Sequence, residues 1–268
     1  MPGRRPSSRS PTLSGPAGEH ADRRDRAPMI EVEGKAVLTE LVELVDPAHT
    51  AVVVVDMQHD FVSPDGAFAQ LGVDVSAYVD LRPRLTGLLA AARRAGVLVL
   101  HLQNTALPGR RSDSPAQIRF NMRMHAHARR GGPALLYTVP GTPGHAFVPE
   151  LAPAPGDLVV AKHRSSGFWG TPLDLLLRSN AIRSLVVVGC TTEGCVDSTA
   201  RDALFNDYYV VVVRDGVASD DPRQHEAALL LMEHRFDLTT CQELTAAWAG
   251  DERAAYRRRE REEDHAHR

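Results

Sequence analysis

Five short runs of aliphatic and β-branched residues recur along the middle of the chain, at residues 51–55, 97–102, 158–161, 185–188 and 209–213. Apart from His101 in the second, each is apolar throughout rather than alternating with polar residues. That is the pattern of a strand covered on both faces, as in a parallel sheet. Helical stretches separate them: residues 78–94, stopped by Gly96; residues 171–180; a helix from about Gly194; and a helix to about His234 that Asp221-Pro222 caps. Arg214-Asp215-Gly216 reads as a turn after the fifth strand, and residues 236–241 supply a sixth. The alternation predicts an α/β fold: a doubly wound, mainly parallel six-stranded sheet with helices on both faces, Rossmann-like in its layering. Residues 103–157 break the rhythm. They scatter Pro and Gly around one expected helix at 114–128, and so long a connection in a compact domain commonly forms a lid or a pocket wall.

Composition adds boundaries. In 268 residues, 43% hydrophobic and 24% charged content is ordinary for a globular protein with one large core. Residues 1–28 are rich in Pro, Arg, Ser and Gly and read as a disordered extension. Residues 249–268 are a mixed-charge tail, which leaves a single expected domain at 29–248. A net charge of -3, without a basic patch interleaved with aromatics, gives no sign of a nucleic-acid partner. The three cysteines, Cys190, Cys195 and Cys241, form no CxxC pair and fit a reducing compartment. No apolar run reaches the length of a membrane span and the N-terminus lacks a signal-peptide core, so the expected location is cytoplasmic, with no membrane contact.

Candidate chemistry gathers at strand ends. Asp56, Lys162 and Cys195 each fall at or just past the carboxyl end of an expected parallel strand, the edge where open α/β sheets bind ligands. Cys195 also sits where a strand hands over to a helix N-terminus, whose dipole and unpaired amides favour a thiolate. Taken singly, the cysteine is as readily a buried core thiol, the aspartate a turn former and the lysine a solvated charge. Together they supply a nucleophile, a proton acceptor and a cation on one rim.

The motifs VVVVDMQHDF at 52–61, VVAKHRSSGFWGTPLDLLLRS at 159–179 and VVVGCTTEGCVDSTARDA at 186–203 make the chain resemble the isochorismatase-like cysteine hydrolases. That group includes N-carbamoylsarcosine amidase, ureidoacrylate and biuret amidohydrolases, maleamate amidohydrolase and nicotinamidases. The resemblance implies Asp56 as general acid/base, Lys162 as catalytic lysine and Cys195 as nucleophile. It also implies a cis peptide at Cys190-Thr191, with the backbone N–H groups of Thr191 and Cys195 forming the oxyanion hole. Nicotinamidases carry a metal-binding Asp-x-His and a further His after the first helix. Residues 63–80 contain no histidine here, so no metal and no cofactor are expected. His101 stands alone after the second strand, and His125 and His127, two apart, point to different helix faces. True isochorismatases cleave a vinyl ether and lack the cysteine, so Cys195 directs the expectation to C–N bonds.

The resemblance therefore implies hydrolysis of a small linear amide or N-carbamoyl/ureido compound with release of ammonia, by a homo-oligomer. The alternatives are isochorismatase-type hydrolysis of another bond, or a catalytically idle relative that binds a metabolite. Candidate substrate contacts are Phe61, Phe168 and Trp169 as pocket walls, Arg164 as a carboxylate ligand, and Thr192 and Glu193 beside the nucleophile. Arg201 and Asp202 read as a mutually supporting structural pair, while Gln58 and His59 carry no distinguishing pattern.

Overall fold

The computed structural model describes residues 29–124 and 136–250. The expected disordered extension at 1–28, His125, His127 and nearly all of the charged tail lie outside the described residues. The chain divides into two units, residues 1–37 and 38–268. In the first, Ile30–Val32 pairs antiparallel with Lys35–Val37 as a hairpin.

The second unit is built on a six-stranded sheet: β1 (Thr50–Val55), β2 (Leu98–Asn104), β3 (Leu158–Lys162), β4 (Ser184–Cys190), β5 (Tyr209–Ala218) and β6 (Asp237–Thr239). All neighbours are parallel, in the order β3-β2-β1-β4-β5-β6. Strands β1 and β4 are buried along their whole length, as the unbroken apolar runs require. Alternate side chains serve opposite cores. Val52, Val54, Val186 and Val188 pack with Leu81, Leu85 and Leu88 of α1 (Ser76–Arg94) and with Leu244 near the chain's end. Ala51, Val53, Leu185, Val187 and Val212 pack beneath three further helices. These are α3 (Leu173–Ser179), α4 (Asp197–Phe205) and α5 (Pro222–Glu233). Before them in the chain, α2 (Pro115–Met124) follows β2, and α6 (Cys241–Trp248), which carries Leu244, ends the described chain. The sheet is thus covered on both faces, the doubly wound arrangement expected.

Three elements differ from the sequence expectation. Residues 214–216 form no terminal turn: β5 continues to Ala218, and its ladder with β4 shifts between Val187 and Gly189. Such an irregularity re-aims a strand without ending it. A Cβ on Gly216 would lie 2.9 Å from the Val213 side chain, so the bend needs glycine there. The sixth strand stops at Thr239, because Thr240 and Glu243 form a capping box that starts α6 at Cys241. The carboxylate of Asp215 accepts the Cys241 N–H at 2.8 Å, joining the β5 irregularity to that helix start. The expected helix at 114–128 is seen as Pro115–Met124 within the described residues.

A buried charge cluster ties β2 to the start of β3. Asp157 accepts from Arg93 at 2.6 Å and lies 3.2 Å from His101, whose side chain has no solvent exposure. Burial holds His101 below its ordinary 6.5, so the unfolded chain takes up this proton first and stability falls as pH drops below that value. Asp157→Ala leaves His101 and Arg93 without their acceptor. It is expected to lower unfolding free energy by about 2 kcal/mol, read as a lower urea midpoint at unchanged slope.

Candidate active site

The strand order places a topological switch between β1 and β4, where consecutive crossovers leave in opposite directions. Asp56 follows β1 directly and adopts a left-handed φ of 53°, a conformation rare for a residue with a side chain. Its Oδ1 accepts the Asn104 N–H at 3.1 Å from the end of β2. Lys162 is the last residue of β3 and is completely buried. Cys195 lies in a π-helical turn, Thr192–Val196, that runs into α4 after β4. The peptide bond Cys190-Thr191 is cis, as the resemblance implied.

These three side chains converge. The Lys162 ammonium lies 2.7 Å from Asp56 Oδ2 and 3.3 Å from Cys195 Sγ, and donates to the Arg164 carbonyl oxygen at 3.1 Å. An ammonium has three N–H donors, and here each faces an acceptor. The Asp56 carboxyl group and the Cys195 thiol are close enough for each to shift the other's protonation. Burial pulls Lys162 down, but Asp56 and Cys195 outweigh it and hold the amine well above its ordinary value, so it stays charged. Burial lifts Asp56 above the usual carboxylate value, against the opposing pull of Lys162. Burial likewise pushes the Cys195 thiol up to about 12, with Lys162 again pulling the other way. Burial thus favours the uncharged thiol over the thiolate, and the Lys162 charge opposes that effect.

A cavity of about 230 Å³ opens in front of this cluster. Asp56, Cys190, Thr191 and Cys195 border it, together with the sequence candidates Phe61, Arg164 and Glu193. Phe61, Phe68 and Tyr137 form an edge-to-face aromatic group at one side, with ring centroids 4.8 to 5.7 Å apart. Tyr137 is fixed there because the next residue, Thr138, donates its N–H to Asp60 Oδ2 at 2.7 Å. Arg164 borders the cavity, but its Nη1 donates to the carbonyl oxygens of Ser112 at 2.9 Å and of His163 at 2.6 Å. This guanidinium anchors the segment around Ser112 beside the site. Glu193 keeps a buried Oε2 with no hydrogen-bond partner among the described residues.

Three other candidates do not border the cavity. Phe168 packs into the core under α3 and against the Tyr208 ring at 5.9 Å. Trp169 is 72% exposed on the outer surface. Thr192 is fully buried, and its hydroxyl pairs with His225 Nδ1 at 2.8 Å, which ties the turn carrying Cys195 to α5. Arg201 and Asp202 do not support one another either. Arg201 pairs with Asp197 at 2.7 Å, one turn back, and Asp202 accepts from the Ser166 hydroxyl at 2.5 Å. The wall residues not named from the sequence, such as Asn104, Arg110, Asp113, Tyr137 and His163, come mostly from the irregular segment after β2. Among the described residues, no cluster of three or more His, Cys, Asp or Glu side chains could hold a metal ion, and no helix is long and apolar enough to cross a membrane.

One glycine sets the approach of the two central strands. Gly189 has φ of 114°, and a Cβ there would overlap the Val55 carbonyl oxygen. Gly189→Ala is expected to cost about 3 kcal/mol or more through combined backbone strain and overpacking, measured by urea unfolding.

Comparison with known proteins agrees with this geometry. The isochorismatase domain family matches residues 50–243. A ureidoacrylate amidohydrolase of Enterobacter sp. (strain 638) is 38% identical over 194 residues, covering 71% of this chain and 84% of its own length. An isochorismatase-like hydrolase from Alkaliphilus metalliredigens superposes with a TM-score of 0.59 at 30% identity, covering 75% of this chain and 99% of its own. N-carbamoylsarcosine amidase from Thermoplasma acidophilum superposes with a TM-score of 0.55 at 26% identity, covering 72% and 96%. This chain belongs to the isochorismatase-like cysteine hydrolase family.

Proposed function

We propose that the protein hydrolyses the terminal C–N bond of a ureido or N-carbamoyl compound, with Cys195 as nucleophile, Asp56 as proton carrier and Lys162 as the fixed cation between them. The single observation that supports this reading most is the Lys162 ammonium, held at 2.7 Å from the Asp56 carboxylate and 3.3 Å from the Cys195 sulfur. The ureido class is taken from the relatives that act on such compounds.

In the proposed sequence, Asp56 accepts the thiol proton as Cys195 Sγ bonds to the carbonyl carbon. The Lys162 charge steadies the sulfur anion, and the backbone N–H groups of Thr191 and Cys195 hold the oxyanion. Collapse breaks the C–N bond, and the leaving nitrogen takes its proton from Asp56 and departs as ammonia. The thioester that remains is cut by water, which gives one proton to Asp56 and its hydroxyl to the carbon. Asp56 then returns the proton to the departing sulfur. The net reaction adds one water and releases one ammonia, and the carboxylate ends each cycle ionised.

The three thiols are unpaired, which supports a reducing, cytoplasmic setting. Apolar side chains exposed on the outer helices, such as Leu175, Phe205, Leu230 and Leu231, support a homo-oligomer.

Cys195→Ala is expected to fold normally and to lose about 10⁴-fold or more in ammonia release. Wild-type turnover on that scale in this variant removes the sulfur from the mechanism. Asp56→Asn keeps the shape of the carboxylate but not its basicity. It is expected to be as inactive, and iodoacetamide should alkylate its Cys195 far more slowly at pH 7. In the wild type, kcat/KM should fall on acidification through a pKa above 3.8, because burial raises the Asp56 value and only its ionised form accepts the thiol proton. An acid limb at or below that ordinary value contradicts the assignment.

A further inference from the structure

Helix α2 is placed unlike the other helices. None of its residues is buried, so no apolar stripe of its own holds it on a core. Gln117, Phe120, Asn121 and Met124 are spaced i, i+3, i+4, i+7 and share one face. All four border the cavity that contains Asp56 and Cys195. Gln117 Nε2 donates to Asn121 Oδ1 at 3.0 Å, so the two amides of the stripe engage each other. Phe120 and Met124 are left 44% and 46% exposed, with their apolar surface turned to the same cavity. Leu136 and Tyr137 continue this wall.

Resting on the ureide reading above, we propose that the substrate carries a large apolar group, of leucyl to phenylalanyl size, on the nitrogen side away from the bond that is cut, and that Phe120 and Met124 select it. A carbamoyl group fills only the part of the cavity next to Cys195. A small polar ureide would leave the α2 face wet, whereas an apolar substituent reaching it removes both surfaces from water. The occupant is the substrate rather than a protein because this stripe is continuous with the reactive groups. Met122, just as apolar and 54% exposed, lies off the stripe and does not border the cavity.

The test compares kcat/KM for ammonia release from N-carbamoyl-phenylalanine and N-carbamoylglycine. It uses the full chain, the double variant Phe120→Ala/Met124→Ala and the conservative Phe120→Leu, with the sedimentation mass of each. The wild type is expected to favour the phenylalanine derivative by at least about tenfold. The double variant should bring the ratio within about threefold, and Phe120→Leu should keep most of the preference, with the mass unchanged throughout. A wild type that cleaves the glycine derivative as well or better overturns the proposal while leaving the ureide reading intact. So does a preference that survives in the double variant. A change of mass in the double variant makes the stripe an interface between copies and also overturns it. Cleavage of neither derivative, nor of ureidoacrylate, overturns the ureide reading and this inference with it.

Discussion

A single buried ammonium organises the site. Lys162 has no solvent to replace what it gave up on folding, so each of its three N–H groups must meet an acceptor. The acceptors come from three places along the chain: the Asp56 carboxylate after β1, the Cys195 sulfur at the head of α4, and the Arg164 carbonyl just beyond β3. A charge so enclosed holds the strand ends in register with the turn that carries Cys195. The same desolvation that would penalise it singly strengthens its attraction to both partners. Burial raises Asp56 and Cys195, and the fixed cation opposes both effects, so a proton can pass between carboxylate and sulfur without any net charge leaving the pocket.

The sheet makes that meeting possible. With β1 and β4 adjacent at the centre and crossovers departing to either side, the rim between their carboxyl ends is free of connecting chain. Gly189 lets the β4 backbone pass close to Val55 just before the turn that carries Cys195. The described parts of the long segment after β2 then border this gap, and their anchors are polar. Arg164 holds the Ser112 region through the Ser112 carbonyl oxygen, and Asp60 holds Thr138 and so the neighbouring Tyr137. Strands fix the reactive groups while irregular chain shapes the cavity around them, so chemistry and selectivity rest on different parts of the fold.

The sequence by itself determined the layers and the three side chains that meet at the sheet's rim. In β1 and β4 the unbroken aliphatic runs are buried on both faces, as a parallel sheet wrapped by helices requires, whereas the same kind of run in β3 lies at the sheet's edge and leaves Val159 and Ala161 exposed. The residues that close those runs, Asp56 and Lys162, were therefore legible as rim residues, and Cys195 by its place between a strand and a helix. Local chemistry also held the capping box at Thr240 and Glu243, although reading residues 236–241 as one strand hid the start of α6. Tertiary structure alone decided the rest. Whether Phe168 and Trp169 face a pocket depends on which way a loop turns after β3, and it turns one into the core and the other to solvent. Arg164 could bind a substrate carboxylate or enter a structural ion pair on equal local grounds, and the fold instead turns its Nη1 onto the Ser112 and His163 carbonyl oxygens. The wall at Tyr137 and along α2 has no local signature, because what makes a residue a wall is the empty space in front of it. That space is set by contacts between segments far apart in the chain, and no periodicity or spacing encodes them.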